Sequence, residues 1–312
     1  MRSKKIAVVG SGAIGSTVAH SLILRNRDIE VLLVNRSQQK AWAKAFDIGH
    51  TLAELEGRSI RAVMPEECEG ADVIVMTAGA LPREDGTRAD VIQDNVAIFR
   101  QLVPLLARRH NPEACFLNVT NPVDAMAYAI RRLSGFSPGR VLGTGTELDA
   151  MRLRAFLAEQ YPLEAQRISI DVIGEHGDSM VPVWSRAQHG GTPLEIAIGL
   201  FDTAEKEELL TSTRRAGWDI RLAGEHSCYA IAFTATRIVE AMIQASPRPL
   251  LVSSLMQGEL GIHGVYMSLP TTLGPGGVVQ KHLPTLTAEE TAQLEHSRAQ
   301  LALQIAQVEA LL

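Results

Sequence analysis

His176 is the residue of this sequence whose surroundings point most directly to proton chemistry. It lies in the stretch ISIDVIGEHGDSMVPVW at 168–184, where an apolar run that predicts a buried strand ends at Gly174 and Glu175. An imidazole titrates near neutral pH, so a histidine at the end of a strand can donate a proton into a pocket. A histidine packed in the core, or one in a simple turn, is the alternative at this point.

A glycine-rich segment near the start of the chain is a second candidate site. The segment GSGAIG at 10–15 places Gly10, Gly12 and Gly15 in the pattern G-x-G-x-x-G, between a predicted strand and a predicted helix. Glycines let the backbone and the positive end of the helix approach a pyrophosphate closely. In this context the segment predicts dinucleotide binding, and a glycine turn without a ligand is the alternative.

The residues after the second predicted strand bear on the choice of cofactor. Proteins that bind NAD carry an acidic residue about 20 positions after the glycines, where it holds the ribose 2′-hydroxyl. Here that position is Asn35, followed by Arg36 and Ser37. Asparagine does not repel a 2′-phosphate, and Arg36 and Ser37 can bind one. We therefore predict NADP(H) as the favoured cofactor, NAD(H) as the alternative, and no metal; an Arg36 that contacts only solvent is the other interpretation of that residue.

Strands and helices alternate in the first half of the chain, as is needed to bring these residues together. Strands are predicted at 6–9, 30–34, 72–77, 115–119 and 140–143, with helices between them. This pattern predicts an α/β fold with a Rossmann-type doubly wound parallel sheet that binds ligands at the carboxyl ends of its strands. After about residue 146 the alternation stops. We therefore predict a dinucleotide-binding domain at 1–145 and a C-terminal mixed α+β substrate domain at 146–312.

Composition excludes several classes of function. The 312 residues are 46% hydrophobic and 21% charged with a net charge of -5, which is typical of a soluble globular protein and gives no basic surface for nucleic acid. Three widely spaced cysteines without a C-x-x-C pair argue against a disulfide framework and a structural zinc site. No long charge-free helix indicates a membrane span. We predict a cytoplasmic protein.

Five motifs, in order along nearly the whole chain, resemble those of the lactate/malate dehydrogenase family. The resemblance is closer to the lactate dehydrogenase branch, and it implies an NAD(P)-dependent L-2-hydroxy acid dehydrogenase that moves a hydride between a nicotinamide and a small 2-oxo acid. It also implies a homodimer or homotetramer. The motifs are GSGAIG at 10–15, TAGA and DGTR within 77–88, VTNPVD at 119–124, GTGTELDAMRLR at 143–154 and IGEHGDS at 173–179.

The resemblance gives five residues a role in the reaction. His176 matches the proton-transfer histidine, and Asp149 matches the carboxylate that stabilises its imidazolium form. Arg152 matches the arginine that binds the substrate carboxylate through a bidentate contact. Arg88 matches the lid arginine that polarises the carbonyl, and Asn121 matches the residue that orients the reacting oxygen. For each arginine, a solvated surface charge is the alternative. The resemblance also implies cofactor contacts at Gly10, Gly12, Ala13, Ile14, Gly15, Thr77, Ala78, Gly79, Val119 and Asn121.

The residues that would select the substrate depart from the family pattern. The lid position that is glutamine in lactate enzymes and arginine in malate enzymes matches Pro82, which has no donor. Arg83, the next residue, can replace a malate-type arginine if the loop shifts by one position. Across the pocket, Ser227 matches a small residue near the substrate side chain, and His226 is beside it. We predict 2-oxo acids with neutral side chains as substrates, with malate dehydrogenase that uses Arg83 as the alternative.

Two functions from other classes compete with this interpretation. A non-catalytic nicotinamide sensor would keep the glycine segment but would not need His176, Asp149, Arg88 and Arg152 together. An NAD- and metal-dependent glycosidase would need a cysteine and a histidine as metal ligands near the nicotinamide, whereas Thr120 precedes the predicted nicotinamide contact and the cysteines lie elsewhere. Both are therefore disfavoured.

Overall fold

The computed structural model describes residues 3–80, 88–108, 111, 113–199 and 201–312. The strands of the first half are β1 (Lys4–Val9), β2 (Ile29–Val34), β3 (Arg58–Val63), β4 (Val73–Met76), β5 (Cys115–Asn118) and β6 (Val141–Gly143), and the helices are α1 (Ala13–Arg25), α2 (Gln38–Gly49), α3 (Arg88–Arg108) and α4 (Val123–Ser134). These strands are parallel and lie in the order β3-β2-β1-β4-β5-β6. The predicted doubly wound parallel sheet is confirmed.

The second half extends this sheet with antiparallel strands and adds helices and short strands. Its helices are α5 (Glu147–Gln160), α6 (Leu194–Ile198), α7 (Thr203–Leu222), α8 (Tyr229–Gln244) and α9 (Ala288–Leu311), and its strands are β7 (Ile168–Ser169), β8 (Val172–Ile173), β9 (Val181–Pro182), β10 (Gln188–His189), β11 (Thr192–Pro193), β12 (Ser246–Gln257), β13 (His263–Gly274) and β14 (Gly277–Lys281). Strand β12 pairs with β6 where Ser253 lies opposite Gly143. The predicted mixed α+β character of this half is confirmed.

Strand β1 shows why the first half folds as a covered sheet. Ile6 and Val8 face an apolar cluster built with α1 and α8, whereas Ala7 and Val9 face a second cluster built with α3 and α4. All four side chains are at most 2% exposed. An apolar residue at every position from 6 to 9 therefore matches a parallel strand with helices on both faces.

The parallel strands bring their carboxyl ends to one edge of the sheet. Strand β1 leads there into the glycine segment, β4 into Thr77, β5 into Val119 and β6 into Thr144. This is the edge at which doubly wound sheets bind ligands. Among the described residues, no helix combines the length and the apolar composition that crossing a bilayer requires.

The segment 168–173, predicted as one strand, forms two. Strand β7 pairs with β10, whereas β8 pairs with β9 in a separate sheet. Ile168, Ile170 and Val172 all pack in a third apolar cluster with α5, α7 and α9, so their burial does not reveal the break between the two strands. Gly174, just after β8, has a φ of +89°, a conformation that glycine adopts without strain.

Candidate active site

His176 and Asp149 are brought together by the end of β8 and the first turn of α5. Nδ1 of His176 lies 2.5 Å from Oδ2 of Asp149. Asp149 is 1% exposed, whereas the His176 side chain is 23% exposed. A buried carboxylate that holds one ring nitrogen fixes the orientation of the imidazole and leaves the other nitrogen for proton transfer.

The charged side chains around His176 set the pKa of its imidazole. Burial lowers the pKa of the imidazole, but the charge of Asp149, its hydrogen bond to Nδ1 and the charge of Asp124 together outweigh burial and the opposing charge of Arg152. The pKa of His176 is therefore raised above its ordinary value. The imidazolium form therefore persists to higher pH than in an ordinary histidine, which suits a proton donor to a developing alkoxide.

Arg152 lies one turn after Asp149 on α5 and is held by two partners. Its Nη1 lies 3.5 Å from Oδ1 of Asp149, and its Nη2 donates to the hydroxyl of Ser227 at 3.2 Å. Gly217 of α7 lies beside the guanidinium, and a Cβ at that position would be in van der Waals contact with Nη2 at 3.4 Å. The guanidinium is therefore oriented before any ligand binds, and its side chain is 15% exposed.

These side chains line one cavity of about 500 Å³ at the carboxyl edge of the sheet. Five residues predicted for substrate or catalysis lie in its wall, together with Ile14 and Val119 from the predicted cofactor set. The five residues predicted for substrate or catalysis are Asn121, Asp149, Arg152, His176 and Ser227. The structure thus places a general acid, a guanidinium and the predicted nicotinamide contacts around one space.

A smaller cavity of about 210 Å³ lies at the ends of β1, β2 and β4. Its wall includes seven predicted cofactor residues: Gly10, Gly12, Asn35, Arg36, Thr77, Ala78 and Gly79. The Asn35 side chain donates to Ser11 Oγ at 2.6 Å and accepts the backbone N–H of Ser37 at 2.9 Å. Arg36 is exposed at the rim.

The glycine segment fits a dinucleotide for a steric reason. Gly10 has a φ of +107°, and a Cβ there would lie 2.8 Å from the Thr77 hydroxyl. A Cβ on Gly15 would clash with the carbonyl oxygen of Gly10. Helix α1 begins at Ala13, so its N-terminal amides point towards this cradle. Gly10 and Gly15 therefore let the turn, α1 and Thr77 pack closely, whereas a Cβ on Gly12, in the wall of the smaller cavity, would meet no protein atom within 4 Å and would extend into open space.

Five predicted residues have other surroundings, lie outside the described residues or are described only in part. Ser37 accepts the backbone N–H of Lys40 and so caps α2, and the cavity wall does not include it. His226 is exposed between α7 and α8, beside Ser227, and the cavity wall does not include it either. Pro82 and Arg83 lie outside the described residues. Arg88 is described only as the first residue of α3.

Helix α7 contributes residues to the cavity that the sequence analysis did not predict. Arg214, Gly217, Trp218 and Arg221 all lie in its wall. Their spacing of three and four positions places them on one face of a helix, and this spacing is the signal that could have found them. Trp218 is half exposed, and the Arg221 guanidinium lies 5.7 Å from the centre of its ring.

Comparison with known proteins assigns both halves of the chain. The family model described as the lactate/malate dehydrogenase NAD binding domain matches residues 4–143, and that of the lactate/malate dehydrogenase alpha/beta C-terminal domain matches residues 146–312. The chain belongs to the lactate/malate dehydrogenase family. The L-lactate dehydrogenase of Gloeobacter violaceus is 38% identical over 297 residues, which cover 94% of this chain and 90% of that protein. That of a Synechococcus strain is 36% identical over 293 residues, which cover 94% and 95%.

Solved structures of this family have the same fold. The minor L-lactate dehydrogenase of Enterococcus mundtii, in a ligand-bound form, has a TM-score of 0.91 at 29% identity and covers 97% of this chain and 98% of that one. A lactate dehydrogenase from a Medee basin deep-sea metagenome library has a TM-score of 0.92 at 30% identity and covers 99% and 100%. The fold class and the family resemblance are confirmed. The chain is an NAD-dependent oxidoreductase of 2-hydroxy acids, and the sensor and glycosidase alternatives are not favoured.

Proposed function

We propose that this chain interconverts small 2-oxo acids and L-2-hydroxy acids with His176 as the group that gives and takes the proton. The observation that carries the proposal is the contact of 2.5 Å between His176 Nδ1 and Asp149 Oδ2 in a cavity that also holds Arg152. A carboxylate-held imidazole beside a guanidinium matches an acidic substrate whose oxygen changes its protonation during the reaction.

The residues of the chain divide the work of the reaction. Arg152, fixed by Asp149 and Ser227, binds the substrate carboxylate through two parallel hydrogen bonds. Bound nicotinamide supplies or accepts the hydride at the neighbouring carbon. In the reductive direction His176 then gives the proton on Nε2 to the carbonyl oxygen, while Asp149 stabilises the imidazolium. Asn121 orients that oxygen, and Arg88 polarises the carbonyl.

Substrate choice is the part of the proposal on which the sequence departs from the family. We propose neutral side chains at the 2-oxo acid, because Pro82 offers no donor. Steady-state kinetics with pyruvate, longer and branched 2-oxo acids and oxaloacetate should show a broad preference for the neutral compounds, since an apolar wall discriminates weakly between neighbouring sizes.

The deciding variant for this substrate proposal is Arg83→Ala, with Arg215→Ala as its control. Arg215 is an exposed arginine of α7 that pairs with Asp219 and is absent from the cavity wall. If the wild type prefers oxaloacetate and only Arg83→Ala loses that preference by orders of magnitude, the chain is a malate dehydrogenase that uses Arg83.

For the cofactor, we propose that Arg36 allows NADPH to be used at least as well as NADH. Arg36 lies at the rim of the smaller cavity, and Asn35 brings no negative charge. The double variant Asn35→Asp with Arg36→Ala should shift the ratio of kcat/KM for NADPH over NADH towards NADH by about 10- to 150-fold, because a hydrogen bond to a charged group contributes roughly 1.5–3 kcal/mol.

The geometry allows this exchange without disturbing the loop. In Asn35→Asp the new carboxylate would still accept the Ser37 N–H and could accept the hydroxyl proton of Ser11. Arg36→Ala alone separates the phosphate contact from the effect of the substitution at Asn35. A wild-type enzyme that uses NADH only would contradict this proposal and leave the assignment of the reaction intact.

Three further expectations stay predictions: the division of the chain at residues 145 and 146, a cytoplasmic location, and assembly into a homodimer or homotetramer. The exposed and stacked rings of Trp42 and Phe46 on α2 are consistent with a surface that is covered in an assembly.

A further inference from the structure

The backbone of His176 is held by a carboxylate that is not part of the Asp149 pair. Its N–H donates to Oδ2 of Asp124 at 2.9 Å. Asp124 is 1% exposed and lies in the first turn of α4, three residues after Asn121. It therefore links the element that carries Asn121 to the loop that carries the proton donor.

The segment between Asn121 and Asp124 is itself fixed. The side chain of Asn95 donates to the carbonyl oxygen of Asn121 at 2.7 Å, and the side chain of Asn118 donates to that of Val123 at 2.9 Å. Together these two hydrogen bonds hold the start of α4 in place. The hydrogen bond from His176 to Asp124 thus joins the histidine loop to a part of the molecule that is already held in place.

The second oxygen of Asp124, Oδ1, is buried and lacks a partner with full hydrogen-bonding geometry among the described residues. The hydroxyl of Ser253 on β12 lies close enough to lower the pKa of Asp124. An asparagine could accept the His176 N–H equally well and would avoid the burial of a charge. A purely structural role therefore does not explain why the residue is an acid.

We propose that Asp124 is a positioning residue for the reaction, which holds the backbone of His176 and stabilises its imidazolium form through its negative charge. The inference rests on the proposed role of His176. Burial raises the pKa of Asp124 to about 6, against the lowering effects of Ser253 and the His176 N–H, so the carboxyl is largely ionised at neutral pH. Its charge is one of the causes that raise the pKa of His176.

The other charges around His176 define what a test must separate. From α5 it faces Asp149 and Arg152. Asp178 of its own loop and Arg214 and Arg221 of α7 line the same cavity. None of these residues contacts the His176 backbone among the hydrogen bonds of the described chain.

Glu175 is the neighbouring buried carboxylate and provides a matched control. It is 2% exposed, but its oxygens accept hydrogen bonds from Ser179 at 2.5 Å and from Gln304 of α9 at 2.6 Å. Its own N–H donates to Ser297 of α9 at 2.8 Å. These donors are neutral, and the charge of Glu175 raises the pKa of Asp124. Glu175→Gln keeps the hydrogen bond between the His176 N–H and Asp124, so it should destabilise the fold and move the pH limbs much less than Asp124→Asn does.

The test is Asp124→Asn, which keeps an acceptor for the His176 N–H and removes the charge. The pH limbs of kcat/KM should move to lower pH in both directions of the reaction. At about pH 8, where Asp124 is ionised, reduction of the 2-oxo acid should then fall by up to about tenfold, because one unit of pKa changes the protonated fraction tenfold. At about pH 6 oxidation of the hydroxy acid should rise by less, because Asp124 in the wild type is itself partly protonated there. The melting temperature at pH 7 should not fall, because a buried charge is removed.

Two further measurements keep the inference falsifiable. Asp124→Ala, which also removes the acceptor, should lower kcat in both directions, since the His176 N–H is left unpaired. An NMR titration of histidine ring signals, with the His176 signal assigned from His176→Asn, reports the imidazole directly without turnover. Unchanged titration and unchanged pH limbs in Asp124→Asn, or an equal shift in Glu175→Gln, would overturn the inference. A wild type without a His176-dependent pH limb would instead overturn the proposed function.

Discussion

Replacement of His176 by asparagine is expected to lower kcat for reduction of the preferred 2-oxo acid by about 10²- to 10⁴-fold, the usual contribution of general acid catalysis. Asparagine can keep a hydrogen bond to Asp149 but cannot supply a proton near neutral pH. The smaller cavity, which holds seven of the predicted cofactor residues, lies at the ends of β1, β2 and β4 and does not include His176, so most of the affinity for the reduced cofactor should be preserved. Fluorescence titration of the cofactor and single-turnover kinetics measure these two quantities separately.

The pH profile gives the same assignment a second test. Because the pKa of His176 is raised by Asp149 and Asp124 against the effect of burial, reduction should stay fast above the ordinary imidazole pKa and fall only as the pH passes the raised value. Oxidation should show the opposite limb. Asp149→Asn should move both limbs to lower pH, because the imidazolium loses its main stabilising charge. His296→Asn, which replaces an exposed histidine of α9, is the control for both pH limbs. If His176→Asn kept near-normal turnover, the assignment of the proton donor would be wrong.

The sequence predicted those strands that are buried on both faces of the sheet. Strands such as β1 and β5 contain runs of consecutive buried apolar residues because helices cover both faces of the sheet. Strand β3, RSIRAV, was not predicted, because it lies at the edge of the sheet and exposes alternate polar residues. The break between β7 and β8 was also missed, since residues on both sides of it are buried in one cluster.

The residues of the candidate site also fall into two groups, those that the sequence predicted and those that it did not. His176 and Gly10 could be singled out because each lies where a predicted strand ends, whereas Asp149 was found through the resemblance to the lactate/malate dehydrogenase family. Arg221 of α7 and the contact of Asp124 could not be placed, since both depend on how distant segments pack across the cavity. His226 was included only because it adjoins Ser227, and adjacent residues at a loop point in different directions.

Arg152→Lys is expected to raise KM for the 2-oxo acid by about 10- to 150-fold with a smaller effect on kcat. An ammonium group cannot make the paired contact with a carboxylate, and one hydrogen bond to a charged group contributes roughly 1.5–3 kcal/mol. In the structure the guanidinium spans from Asp149 Oδ1 at 3.5 Å to Ser227 Oγ at 3.2 Å. A single ammonium cannot bridge these two partners while it binds the substrate.

The positive charge remains in Arg152→Lys, so the pH limb that reports His176 should stay in place, whereas Arg152→Gln should move it to higher pH because Arg152 lowers the pKa of His176. This contrast separates binding of the carboxylate from electrostatic control of the imidazole. Arg215→Lys, an exposed position on α7, is the matched control.

In Arg152→Ala, added guanidinium ion should restore part of the lost kcat/KM, because the cavity then has room for it between Asp149, Ser227 and Gly217. Equal KM values in the wild type and Arg152→Lys would show that the substrate carboxylate binds elsewhere in the cavity, with Arg214 and Arg221 as the remaining described arginines of its wall.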